Sequence, residues 1–121
     1  MSDPAARSPL TVVAVMDDLM LLSRIDAAAA AAGATLRRVD APADVGEADL
    51  VLVDWSARTD AWAPALADWR AAHPHARVVL FGRHTDLESH AAAKAAGLGP
   101  MWARSKLVAD LARLLEPTVA F

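Results

Sequence analysis

The sequence predicts an α/β protein: one doubly wound, five-stranded parallel sheet of order 2-1-3-4-5, with a shortened second crossover. Three observations predict it. Short β-branched apolar runs recur at residues 11–16, 50–54 and 77–81, and such runs suit strands covered on both faces. Segments with apolar residues at helical spacing alternate with them. The connections are short, which favours right-handed crossovers between parallel strands.

The elements follow in order. Residues 11–16 form the first strand, closed by Asp17 and Asp18. Residues 19–32 carry Leu, Ile and Ala at helical spacing, and Gly33 supplies the stop. Residues 35–39 make a weaker strand that contains Arg37 and Arg38, as an edge strand tolerates. Residues 41–49 have room for one helical turn at most. Residues 50–54 are the clearest strand in the chain. A helix over 60–72 places Trp62, Leu66 and Trp69 on one stripe, with Pro64 near its first turn and Pro74 beyond its end.

The second half repeats the alternation. Residues 77–81 form a buried strand ended by Gly82. Thr85 and Glu88 have the spacing of a capping box that opens a helix running to Ala96, with Gly97 as its stop. Residues 100–103 form a short last strand. Ser105 suits the N-cap of a final helix over 106–115, whose Leu107, Val108, Leu111, Leu114 and Leu115 share one face. The domain thus spans 10–116, with tails at 1–9 and 117–121.

Composition narrows the function. The chain has 121 residues, 55% of them apolar, a formal charge of −3 and no cysteine. That is one globular domain. Thiolate catalysis, disulfides and cysteine-based zinc sites are excluded. No block of Lys or Arg marks a nucleic-acid surface. No apolar run is long enough to cross a membrane and the N-terminus does not read as a signal peptide, so a cytoplasmic location is the expectation. No glycine-rich phosphate loop follows the first strand, so nucleotide binding of the Rossmann or P-loop kind is not expected.

In a doubly wound sheet the functional crevice lies beyond the carboxyl ends of the strands, where strand order reverses. The strand ends here carry Asp17 and Asp18, Asp54, the run Gly82-Arg83-His84-Thr85, and Arg104-Ser105-Lys106. Three carboxylates from two adjacent strands repel one another unless a cation compensates them. A hard divalent ion such as Mg²⁺, or a neighbouring Arg or Lys, would do so.

The runs Val13–Ile25, Leu50–Trp55, Val78–Phe81 and Ala95–Gly97 together resemble the receiver domain of bacterial response regulators, over roughly residues 11–115. The resemblance implies a flavodoxin-like, CheY-like fold and a role in phosphorelay signalling. It implies that Asp17 and Asp18 hold Mg²⁺ together with Asp54, and that Asp54 accepts a phosphoryl group from a partner histidine kinase. It also implies a hydroxyl at the end of the fourth strand and a lysine at the end of the fifth. Here the chain departs: Gly82 stands at the hydroxyl position and Arg104 at the lysine position, with Lys106 reachable by a short slip in register. Arg keeps the charge, but its planar fork is not a point charge.

Each residue also has a plainer reading. Asp17 or Asp18 suits a helix N-cap. Arg104 suits a permanent ion pair with the acids, without metal. His84 lies at the rim, where it would stand in for the lost hydroxyl or simply face solvent. His73 and His75 read as surface, Trp62 and Trp69 as packing, and Trp55 as partly exposed. Three functions stay open. The first is a stand-alone receiver that accepts phosphate on Asp54 and signals through a partner, or through itself as a homodimer. The second is a phosphorylation-independent pseudo-receiver, favoured by Gly82 and Arg104. The third is a flavodoxin-like domain binding a small molecule in the same crevice.

Overall fold

The computed structural model describes residues 9–116. Five strands, β1 (Thr11–Val15), β2 (Thr35–Val39), β3 (Leu50–Asp54), β4 (Arg77–Gly82) and β5 (Met101–Ala103), form one sheet. All pairings are parallel and the order is β2-β1-β3-β4-β5. The helices are α1 (Leu19–Ala32), α2 (Trp62–Ala72), α3 (Leu87–Ala95) and α4 (Arg104–Leu114). This is the predicted architecture, with a single 3-10 turn (Pro42–Asp44) between β2 and β3.

The period of two along each strand divides the core in two. Val12, Ala14, Leu50, Leu52, Val79 and Phe81 meet α1 and α4 through Ile25, Leu107 and Leu111. Val13, Val15, Val51, Val53 and Leu80 face the other way, against Val45, Trp62, Leu66 and Ala93. Ile25, Leu66 and Leu107 are wholly buried, and each such side chain stabilises the fold by roughly 1.5–3 kcal/mol relative to exposure. The order follows from the edges: β2, with Arg37 and Arg38 exposed, is an outer strand, while every residue of β3 is buried.

The second crossover lacks a helix, and large side chains cover its share of the sheet. Val45 is wholly buried and Trp62 nearly so, while half-buried Trp69 packs beside them. The Trp69 Nε1–H donates to the Gly46 carbonyl at 2.7 Å. From the sheet side, the Arg37 guanidinium donates to the carbonyls of Asp44 and Val45. The charge that marked β2 as an edge strand therefore also satisfies backbone that a helix would have satisfied internally.

Helix ends differ from expectation in physically clear ways. Gly33, at φ 72°, ends α1 as expected, and its N–H closes on the Ala29 and Ala30 carbonyls. At α3 the N-cap is Asp86 rather than Thr85: its carboxylate accepts from the Ser89 N–H at 3.1 Å and from the Ser89 hydroxyl. An ionised carboxylate outcompetes the neighbouring hydroxyl for this place. Ser105 is not a cap, because α4 opens directly after β5 at Arg104, with Ala103 as an N-cap without a side-chain bond. Helix α2 starts at Trp62, two residues later than expected. Apart from Pro9, the expected tails lie outside the described residues.

Candidate functional site

Asp54 ends β3 and pairs in register with Phe81 of β4, so its side chain emerges at the carboxyl edge of the sheet. Asp18 leaves β1 beside it and caps α1, its Oδ1 accepting from the Leu21 N–H at 3.2 Å. Arg104 enters from β5, two strands away from Asp54. Its guanidinium bridges the two acids: Nη2 lies 3.1 Å from Asp54 Oδ2 and Nη1 lies 3.3 Å from Asp18 Oδ2. The planar fork suits this task, since it addresses two carboxylates at once from one rigid group.

Asp54 is 4% exposed, the one buried charged side chain among the described residues. Burial pushes its carboxyl above the ordinary aspartate value, and the nearby Asp17 charge adds to the rise; Arg104 and the Ser56 amide act against it. Asp54 Oδ1 and Arg104 Nε are enclosed without a hydrogen-bond partner among the described residues. One oxygen of Asp54 is thus held by the guanidinium and the other is shut away from solvent.

The other predicted site residues divide. Asp17 is exposed and acts on Asp54 only through its charge. Lys106 does not enter the crevice: its ammonium lies 3.0 Å from Asp110 Oδ2 and 4.3 Å from the centre of the Trp102 ring. Because α4 already begins at Arg104, position 106 falls on the outer side of the first turn. His84 is exposed in the loop after β4. Trp55, expected to be partly exposed, is 1% exposed, because the 3-10 turn Trp55–Ala57 folds its indole back into the second core under Arg58.

Ser56 was not singled out from the sequence, and it explains Gly82. A Cβ at position 82 would overlap Ser56 Oγ and stand 2.9 Å from Met101 Sδ. The space in which a β4-end side chain would lie is therefore filled by the Ser56 hydroxyl, which accepts from the Arg83 N–H at 3.2 Å. The adjacent Asp86 is held at about 2 by the Ser89 hydroxyl and amide, with help from the Ser56 hydroxyl. Arg58 completes the patch, donating to the Trp55 carbonyl at 3.1 Å and to the Ser89 hydroxyl. The only hint in the sequence was the missing side chain at Gly82, which demands an occupant from elsewhere.

The magnesium ion expected from the resemblance can be tested against this arrangement. Asp17, Asp18 and Asp54 are oxygen donors of the right kind. Their disposition does not fit: the facing oxygens of Asp18 and Asp54 both lie on Arg104, and Asp54 Oδ1 is enclosed. Among the described residues no three acidic or histidine side chains converge as a metal site requires. The positive charge that the acids need is supplied by the chain itself.

No family model and no curated protein matches the chain. Solved structures do. A response regulator protein from Burkholderia multivorans is similar with a TM-score of 0.65 at 22% identity, over 93% of this chain and 100% of that one. A response regulator receiver domain protein from Clostridium thermocellum has a TM-score of 0.59 at 14% identity, over 88% and 94% of the two chains. The receiver domain of a Francisella response regulator has a TM-score of 0.58 at 14% identity, over 89% and 97%. With the strand order and the crevice described above, these likenesses show that the chain is built on the fold of the response-regulator receiver domains.

Proposed function

We propose that the chain is a phosphorylation-independent pseudo-receiver, an interaction module of the receiver fold that signals through contacts with another signalling protein. One observation carries this reading: the Arg104 guanidinium spans Asp18 and Asp54. A phosphoryl-accepting aspartate needs a free, reachable oxygen and a cation that binds the incoming phosphoryl oxygens. Here one oxygen of Asp54 is paired with Arg104 and the other is enclosed. Gly82, whose side-chain space is taken by Ser56, adds to the case.

The second reading is a stand-alone receiver that takes a phosphoryl group on Asp54 from a histidine kinase. The position of Asp54 at the carboxyl end of the central strand, beside Asp18, favours it. It requires Arg104 to leave both carboxylates.

Incubation with a small phosphodonor and Mg²⁺, followed by intact-mass measurement, separates the two, with Asp54→Asn as the control. The pseudo-receiver gives no adduct at any donor concentration. A saturable adduct that Asp54→Asn abolishes overturns it in favour of the second reading.

A further inference from the structure

We infer that His73 is a proton-operated latch that fastens the segment between β2 and β3 to the end of α2. The inference is independent of the chemistry at Asp54, because it rests on a different part of the molecule.

His73 is the C-cap residue of α2. Its ring stacks on the Trp69 indole, with centroids 4.2 Å apart and planes within 13°. Nδ1 lies 2.8 Å from the Trp69 carbonyl oxygen, and Nε2 lies 3.4 Å from Glu47 Oε1. Both partners are acceptors only. A neutral imidazole carries one N–H and can satisfy only one of them. Its short contact with the Trp69 carbonyl places that proton on Nδ1, which leaves the Nε2 lone pair facing a carboxylate. Only the imidazolium donates to both. The two contacts together therefore select the protonated ring, and the negative end of α2 and the indole face favour the same cation.

The latch holds the middle of a segment that is anchored at both ends. Among the described residues, burial of Pro42 and Val45 anchors its start and the bonds of Asp49 to Thr11 and Arg77 anchor its end, with Ala48 packed on the second core; between them it is held by the Trp69 bond to Gly46, the Arg37 bonds to Asp44 and Val45, and His73 on Glu47. The other charged groups around His73 are committed or distant in role. Arg37 lies on the Asp44 and Val45 carbonyls, Arg70 of α2 donates to the Gly97 carbonyl, and His75 is exposed in the following loop. Glu47 is the carboxylate within ion-pair distance of His73 among the described residues. In agreement, His73 is held above the ordinary histidine value, first by the Trp69 carbonyl and then by Glu47.

The sign of the effect follows. A histidine whose folded-state value is raised adds stability that is full below its ordinary value and is lost as pH rises through the raised one. The segment is therefore fastened below the ordinary histidine value and loosened as pH rises through the raised one.

The test is a pH titration of the full chain by NMR, reading the ring nitrogens of His73 and the exchange of the amides of residues 44–49. His73 is expected to titrate above the ordinary histidine value, with Nδ1 protonated in its neutral form. Exchange at 44–49 is expected to speed up as His73 deprotonates. Glu47→Gln, a change at an exposed side chain that leaves the core intact, is expected to lower the His73 midpoint and to weaken the pH dependence of that exchange. A His73 midpoint at or below the ordinary histidine value overturns the inference. So does amide exchange at 44–49 whose pH profile His73→Gln leaves unchanged after correction for intrinsic base catalysis.

Discussion

Arg104 opens α4 and reaches Asp54 at the end of β3, fifty positions earlier in the chain, at 3.1 Å. The first prediction tests this link. Arg104→Ala leaves Asp54 buried beside Asp18 without its counterion. Removing one partner of a wholly buried pair costs about 3–5 kcal/mol. The Arg104 side chain is 40% exposed, so water reaches the site, and a loss of about 1–3 kcal/mol is expected instead. Urea unfolding measures it. In a double-mutant cycle, Arg104→Ala should cost markedly less when Asp54 is already Asn.

The second prediction concerns pH. The Asp54 carboxyl is raised in the folded state, chiefly by burial. A raised carboxylate destabilises the fold once ionised, and the penalty is absent below the ordinary aspartate value and complete above the raised one. Asp54→Asn removes the ionisation while Arg104 keeps Asp18. The variant is expected to melt higher than the wild type at neutral pH, and the gap should close as the solution is acidified towards and below the ordinary aspartate range. A gap that widened on acidification would contradict burial as the dominant cause.

What was legible in the sequence, and what was not, follows the range of the forces involved. Strand order, edge and core came through because burial and period-two patterning are local and redundant; the all-buried β3 and the charged β2 are the plainest cases. The meeting of Asp18, Asp54 and Arg104 followed from topology, since parallel strands bring their carboxyl ends to one edge. The partner of each acid did not follow, because a bridging guanidinium and a bound metal satisfy the same charge count. Trp55 was misjudged since strand alternation stops at Asp54 and a 3-10 turn then redirects the indole. Gly82 hinted at an occupant from elsewhere, but that it is Ser56 depends on the turn after β3, which places its hydroxyl there.

That complementarity gives the third prediction. Gly82 has an ordinary negative φ, so a substitution there meets packing and not backbone strain. The new Cβ of Gly82→Ala would press on Ser56 Oγ and on Met101 Sδ. Overpacking of this kind costs about 1–3 kcal/mol. Ser56→Ala removes the atom that the Cβ meets first, and the Met101 side chain is flexible enough to adjust. The double variant Gly82→Ala/Ser56→Ala is therefore expected to be more stable than additivity of the two single changes allows, as read from chemical denaturation midpoints.

The last prediction separates the two cations that follow β5. Lys106 pairs with Asp110 one turn along α4 and lies over the Trp102 ring. Both contacts are at the surface, where an i,i+4 pair contributes about 0.2–0.5 kcal/mol and an exposed cation–π contact about 0.5–1 kcal/mol. Lys106→Ala should thus lower stability by no more than about 1.5 kcal/mol. The sharper readout is the titration of Asp54 itself, followed through its carboxyl carbon by NMR. Arg104→Ala removes the charge that opposes burial and should raise the Asp54 midpoint further. Lys106→Ala should leave that midpoint where it is, because the ammonium is engaged by Asp110. If the two variants shifted Asp54 equally, the ion pair with Arg104 would not be what holds the buried carboxylate.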